Sequence, residues 1–223
     1  MGPDGGGREG PLEDPTTFPP AVREAAGSDV AWERLRGFAA MLAAEGETRG
    51  LIGPREMPRL WSRHIVNSMA LNAFVADGAR VADVGTGAGF PGVVLAITRP
   101  DTRLTLVESM ERRCEWLEDV RLHLGLENVR VINARAEELH GRGQFAVVTA
   151  RAVAALDKLA RWTLPLVEPG GRLLALKGAR AGEEFDAAES VFRSLGARTG
   201  AVHAVSSPLD GSTTYVVEIV KWS

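Results

Sequence analysis

The sequence predicts an α/β fold: a Rossmann-like, seven-stranded, mostly parallel sheet with an N-terminal helical extension. Three observations predict it. From Ala79 onward, short apolar runs alternate with amphipathic helical patterns, the signature of βαβ units around a parallel sheet. The first of those runs leads directly into a glycine-rich turn, Gly85-Thr86-Gly87-Ala88-Gly89-Phe90-Pro91-Gly92. Residues 21–78, ahead of it, carry helical periodicity and no convincing strand.

Taken in order, residues 1–20 are dense in Gly and Pro and poor in large apolar side chains, so they cannot offset their own ordering entropy; a disordered tail is expected. Ser28 reads as an N-cap, followed at helical spacing by Trp32, Leu35, Phe38, Ala39 and Leu42, with an end near Gly46. A second helix is expected from about Arg59 to Val75, after the Gly53–Pro54 turn. The sheet domain then occupies 79–223, with strands at Val81–Val84, Leu104–Glu108, Val129–Ile132, Phe145–Ala150, Arg172–Leu176, Ala201–Val205 and Thr214–Val220. Between the second and third, Met110, Cys114, Leu117, Val120 and Leu124 form one apolar helix stripe, opened by Ser109 and closed by Gly125. Cys114 on that stripe reads as a small core residue. The final two strands are joined by a turn-rich segment with no helical pattern, so they are expected to pair antiparallel.

Composition bounds the rest. With 223 residues, 45% hydrophobic and 25% charged, the chain can build one full-sized core. It has no run of apolar residues long enough to span a bilayer, and its first ten residues lack the basic and apolar segments of a signal peptide, so a cytoplasmic protein is expected. A single cysteine excludes an internal disulfide and a Cys-x-x-Cys site. A net charge of −3 is not that of a general nucleic-acid binder, so any RNA contact must come from a local patch. Arg55, Arg59, Arg63 and His64 supply one candidate, since residues 51–64 contain a single acid, Glu56. Trp61 beside them reads as core.

The chemistry concentrates at the first strand and its turn. Glycines allow a sharp strand-to-helix turn and close approach of a ligand to the main chain, which implies a nucleotide-like cofactor. Gly87 to Gly92 literally satisfies the dinucleotide fingerprint, so a nicotinamide-dependent oxidoreductase stays open, as does a non-catalytic nucleotide- or RNA-binding module. Against the dinucleotide, Pro91 removes an N–H where a pyrophosphate wants donors, and Asp83 sets an anion beside it. An anion near the ammonium and sulfonium of S-adenosylmethionine is favourable. Glu108, closing the second strand, can accept hydrogen bonds from ribose hydroxyls in either case.

Absent chemistry narrows the reaction. A cytosine-C5 methyltransferase needs a thiolate nucleophile, and Cys114 is on a helix stripe. Methylation of exocyclic amines usually uses an Asn/Asp-Pro-Pro-aromatic loop after the fourth strand, which here ends Thr149-Ala150-Arg151-Ala152. A guanine N7 carries a lone pair and no proton, so its methylation needs alignment and no general base.

Together, Arg63-His64 with Asn67-Ser68, the Asp83–Gly92 segment, Arg135-Ala136-Glu137-Glu138, Arg151-Ala152-Val153-Ala154 and Leu176-Lys177-Gly178 resemble the RsmG (GidB) family over roughly residues 30–220. The resemblance implies a class I methyltransferase fold and S-adenosyl-L-methionine as methyl donor. It also implies 16S ribosomal RNA, in the small subunit or an assembly intermediate, as partner, with the guanine at position 527 in the 530 loop as acceptor. It puts the cofactor against Asp83, Gly85, Gly87 and Phe90, with Glu108 at the ribose and Ala136 and Glu137 beside the adenine. Arg151 matches the family's binding-site arginine and, with Lys177 and Arg135, is expected to position substrate. No metal is expected, and a monomer is. Asn67 departs from the family, which often has Asp there.

Overall fold

The computed structural model describes residues 20–151 and 154–222. Of the tail expected over 1–20, only Pro20 falls within them, and it opens a helix, α1 (Pro20–Ala25); the remainder of that expectation lies outside the described residues. The next helix, α2 (Asp29–Glu45), starts where the sequence places it: Ser28 is extended and its Oγ accepts the Ala31 N–H at 3.1 Å. That bond satisfies one of the donors a helix N-terminus leaves unpaired. Trp32, Leu35, Phe38, Ala39 and Leu42 are all buried, each large side chain contributing roughly 1.5–3 kcal/mol of apolar transfer.

The second expected helix is broken into pieces. A 3-10 turn (Met57–Arg59) runs into a π-helical stretch (Leu60–Val66), a short α-helix α3 (Asn67–Met69) and a further 3-10 turn (Asn72–Phe74). The physical reason is in the burial: Leu60 and Trp61 are buried and so are Ile65 and Val66, a five-residue recurrence. In an α-helix five residues overshoot a full turn by about 140°, whereas the wider i→i+5 winding brings the two pairs to one face. Trp61 is wholly buried with its ring 5.8 Å from that of Trp32, a core residue as expected.

All seven expected strands are present: β1 (Arg80–Val84), β2 (Arg103–Glu108), β3 (Val129–Asn133), β4 (Phe145–Arg151), β5 (Val167–Lys177), β6 (Ala197–Ser206) and β7 (Thr213–Lys221). They form one sheet in the order β3-β2-β1-β4-β5-β7-β6, parallel except for β7. Helices α4 (Gly92–Thr98), α5 (Glu111–His123), α6 (Leu156–Thr163) and α7 (Ala181–Ser194) make the crossovers. Two strands exceed the sequence reading. β5 starts at Val167, because a register shift between Phe145 and Val147 of β4 absorbs the Pro169-Gly170-Gly171 kink. β6 starts at Ala197, which pairs with Lys221 of β7 across a register shift between Ala197 and Thr199, and a Cβ on its Gly200 would meet the ring of Phe185. Ser109 does not cap α5: Met110 occupies that position, with its side chain exposed, and buried Trp116 joins the helix's core face.

Successive residues of each strand feed opposite faces. Val81, Val147, Leu174, Leu176 and Val216 pack with α2, the π-helical stretch, α4 and α5, so the N-terminal extension is part of that layer. Ala82, Val148, Leu173, Ala175 and Val217 pack with α6 and α7. The parallel strands all finish at one edge, where an open α/β sheet presents its cleft. Because β7 runs antiparallel, pairing Lys177 with Tyr215 and Ser206 with Thr213, the β6–β7 turn rises at that same edge. No helix among the described residues is long and apolar enough to cross a membrane.

Candidate active site

The glycine run is built in two functional halves. Gly85 (φ +69°) and Gly87 (φ +60°) are left-handed, a conformation that costs an L side chain roughly 1–2 kcal/mol, and a Cβ on Gly87 would meet nothing closer than 3.9 Å. This half opens to the cleft. Gly89 and Gly92 serve packing instead: a Cβ on Gly89 would press on Val93 and Phe38, and one on Gly92 would collide with Leu106 and Asp83. The loop is pinned by Glu108 at the end of β2, whose Oε2 accepts the Gly87 N–H at 3.0 Å while Oε1 accepts that of Met110 at 3.0 Å.

Asp83, wholly buried, lies beneath the loop, its Oδ2 accepting the Gly92 N–H at 2.7 Å. Burial is the largest influence on its carboxyl and pushes the pKa up to about 6; the Thr86 hydroxyl, the Gly92 amide and the Arg151 guanidinium pull the other way. The Thr86 hydroxyl faces the Asp83 carboxyl, and Asp83 Oδ1 and Thr86 Oγ1 are both buried with no other partner. With Gly92 N–H already taken and Pro91 lacking one, α4 has little to offer a pyrophosphate.

Arg151, at the end of β4, is the hub of the opposite wall. Its Nη1 donates to the Arg63 carbonyl at 3.1 Å, its Nη2 to His64 Nδ1 at 2.8 Å, and its guanidinium sits 4.8 Å from the centre of the Phe90 ring. Burial lowers its pKa to about 10, so it remains a cation at neutral pH. The π-helical stretch delivers His64 to this point, its ring 5.2 Å from that of Phe90, and Phe90 in turn packs on Phe38 of α2 at 5.3 Å. Burial, then the Arg151 charge, lower the His64 pKa to about 4. The contact of His64 Nε2 with Glu56 Oε2 at 3.0 Å is therefore a hydrogen bond from a neutral ring and not an ion pair at neutral pH.

These walls enclose a cleft of about 1240 Å³, above the roughly 300–1,000 Å³ of ordinary small-molecule sites. Gly85, Gly87, Phe90, Arg151 and Lys177 line it, as do Arg59, Arg63, His64 and Asn67, whereas Arg55 is exposed outside it. Lys177 Nζ donates to the Ala154 carbonyl at 2.7 Å and to Glu184 Oε2 at 2.8 Å. Asp83, Glu108, Arg135, Ala136 and Glu137 do not line the cleft: Asp83 and Glu108 are buried beneath the glycine loop, Arg135 and Glu137 point to solvent, and Ala136 is buried in the 3-10 turn after β3. That turn still adjoins Glu108, whose backbone carbonyl accepts from Ala134 N–H at 3.0 Å. Cys114, buried as expected, donates its thiol to the same carbonyl at 3.3 Å. Sequence reasoning missed Arg113, Ser62 and the β6–β7 wall formed by Asp210, Ser212, Thr213 and Thr214. Arg113 was legible as the first turn of the helix after an acidic strand end; the wall needed the direction of β7. Thr214 Oγ1 accepts from Asn67 Nδ2 at 2.7 Å, joining this wall to the N-terminal extension.

The site fits a nucleoside-bearing cation. The left-handed glycines leave the main chain accessible, Glu108 stands at the adjoining strand end, and the Asp83 carboxyl sets an acidic group directly beneath the loop. Fold and site together define a class I methyltransferase. Solved structures of this kind align with the chain: a methyltransferase from Pyrococcus furiosus (TM-score 0.57, 17% identity, 71% of this chain and 83% of that one) and a SAM-dependent O-methyltransferase from Thermotoga maritima (TM-score 0.54, 15% identity, 77% and 66%). Residues 31–212 match the GidB family, rRNA small subunit methyltransferase G, and the chain belongs to it. It is 57% identical to the ribosomal RNA small subunit methyltransferase G of Beutenbergia cavernae over 82% of this chain and 86% of that protein, and 48% identical to that of a Nocardioides species over 93% and 84%. Membership removes the nicotinamide-dependent oxidoreductase reading that the glycine run alone left open.

Proposed function

We propose that the protein transfers a methyl group from S-adenosylmethionine to N7 of a guanine in the 530 loop of 16S ribosomal RNA, position 527, acting in the cytoplasm on the small subunit or an assembly intermediate. When bound, S-adenosylmethionine supplies an electrophilic methyl group on a sulfonium. Gly85 and Gly87 would line its path along the main chain, Glu108 would accept from its ribose hydroxyls, and Ala136 and Glu137, in the turn beside Glu108, would flank its adenine. Asp83 would hold negative charge close to its cationic end.

The observation that supports the N7 reading is that, among the described residues, each histidine or carboxylate on the cleft wall already accepts a hydrogen bond through at least one atom, and none stands apart as a dedicated base. The lone pair of His64 Nδ1 is taken by Arg151, Glu56 is held by His64, Glu184 by Lys177 and Asp210 by the Ser212 amide and hydroxyl. A guanine N7 has no proton to lose, so alignment is what such a cleft has to supply. Arg151 and Lys177 then act as cations toward RNA phosphate or the cofactor carboxylate, and Arg59 and Arg63 on the rim track the backbone. Arg135, exposed at the turn after β3, can only act on RNA that lies across the rim.

The test is mass-spectrometric mapping of methylated nucleosides in small-subunit RNA from cells with and without the gene, then restoration with purified protein and S-adenosylmethionine. Loss and recovery of one 7-methylguanine in the 530 loop supports the reading; an unchanged map sinks it.

A further inference from the structure

The feature that neither the fold nor the family name explains is Glu56. It is the single acid of a basic segment, it lines the cleft, and it reaches Arg151 only through another side chain. Its Oε2 lies 3.0 Å from His64 Nε2 and 3.6 Å from Arg63 Nε. On the far side of the imidazole, His64 Nδ1 lies 2.8 Å from Arg151 Nη2.

The donor and acceptor inventory leaves one assignment for this chain of three groups. A guanidinium only donates, so Nδ1 must be a bare lone pair. An ionised carboxylate only accepts, so Nε2 must carry the hydrogen. The imidazole is thus a neutral Nε2–H tautomer, wired from a carboxylate to a guanidinium. In water neutral histidine interconverts between tautomers, and the other tautomer would turn an N–H against the Arg151 N–H. Its backbone is fixed as well: the carbonyl of His64 accepts from the Ser68 hydroxyl at 2.6 Å, and the Arg63 carbonyl takes the second Arg151 donor at 3.1 Å. Phe90, stacked under the guanidinium and beside the imidazole, completes the seat.

We infer that Glu56 is a positioning residue for Arg151: by accepting from His64 Nε2–H it fixes the tautomer whose Nδ1 holds the guanidinium, and so sets the direction in which Arg151 meets substrate. The reaction itself does not pass a proton along this chain. The inference rests on the reading of Arg151 as a substrate-facing cation, and Glu56 touches neither cofactor nor acceptor in it.

The test uses the full-length protein and two readouts. In 15N NMR of histidine-labelled protein, wild type shows His64 as the Nε2–H tautomer at neutral pH, while Glu56→Ala, in which Arg151 alone biases the ring, shows a reduced Nε2–H population. Methyl transfer to small subunits falls roughly ten- to a hundredfold in kcat for Glu56→Ala, the scale of a misplaced reacting group, with KM for the methyl donor changed less. Glu56→Gln, whose amide oxygen can still accept, restores both. In a His64→Ala background Glu56→Ala causes no further loss. A wild-type tautomer other than Nε2–H, an unchanged tautomer in Glu56→Ala, or a full additional loss in the His64→Ala background overturns the inference. If wild type transfers no methyl group to any small-subunit RNA, the functional reading fails, and the tautomer measurement still decides the role of Glu56.

Discussion

Glu108 Oε2 accepts the N–H of Gly87 at 3.0 Å, so the carboxylate that stands where a cofactor ribose is expected is also the clamp that shapes the glycine turn. Its other oxygen holds Met110 N–H at the start of α5, and only 4% of the residue is exposed. One side chain thus sets the spacing between β1's loop and the helix after β2. Replacing it perturbs two things at once.

In Glu108→Gln one of the two backbone donors must face an NH2 group. Leaving a buried donor unsatisfied costs about 1–3 kcal/mol, and the same rearrangement removes an acceptor for the ribose. Calorimetric titration should show S-adenosylhomocysteine binding weakened by roughly tenfold or more, with a Tm lower by several degrees. Wild-type affinity in this variant would remove Glu108 from the cofactor site.

The two halves of the glycine run should separate in mutagenesis. Gly92→Ala drives a methyl group into Leu106 and Asp83, an overpacking cost of about 1–3 kcal/mol, and should lower Tm even in the absence of ligand. Gly87→Ala meets open space, so its thermal penalty is limited to about 1–2 kcal/mol of left-handed strain while cofactor binding suffers most. Melts of both variants with and without S-adenosylhomocysteine make the comparison. Equal ligand-induced shifts in the two would contradict the division.

Asp83 gives a pH dependence of known sign. Its folded pKa, about 6, lies above the ordinary carboxylate value of 3.8, so the protonated form is favoured by folding. The associated stability is complete below pH 3.8 and is lost as pH rises through 6. Relative to wild type, Asp83→Asn should therefore gain stability as pH is raised from about 4 to 7, while losing affinity for a sulfonium ligand. His64 runs the opposite way: its folded pKa of about 4 lies below 6.5, so its contribution is complete above 6.5 and lost as pH falls toward 4. Denaturant melts of the Asn variant and wild type across pH 4–8 isolate the Asp83 part, and a stability difference that does not change over that range would refute it.

The rim arginines should act through phosphate alone. Arg59→Ala removes an exposed cation from the cleft mouth, and RNA affinity should fall with the slope of log affinity against log salt reduced by about 1. Methyl-donor affinity should not change. A loss of donor binding would place Arg59 elsewhere than the RNA path.

Much of this was written in the chain's periodicity. Every strand was legible because strand ends coincide with apolar runs and with residues such as Asp83, Glu108 and Arg151 that had reason to stand at a sheet edge. The break came at Leu60–Val66, where a five-residue recurrence of buried pairs is neither a strand nor an α-helix pattern, and where propensity alone favours a continuous helix. Residues that meet only through tertiary structure were also beyond reach. Glu56 read as an interruption of a basic patch until the π-helical stretch carried His64 between it and Arg151. Arg135 read as a substrate-positioning residue, but the turn it caps faces it to solvent.

The antiparallel run of β7 has a consequence for how the molecule comes into being. β6 leaves the ribosome first, yet its only partner in the sheet is β7, which must first dock on β5. A nascent chain that has exposed β6 but not β7 carries a ten-residue strand with nothing to pair with, and its cleft lacks the wall that Thr213 and Thr214 provide. The wall that Thr213 and Thr214 provide is thus the last part of the cleft in chain order, and the hydrogen bond from Asn67 to Thr214 ties it back to the N-terminal extension.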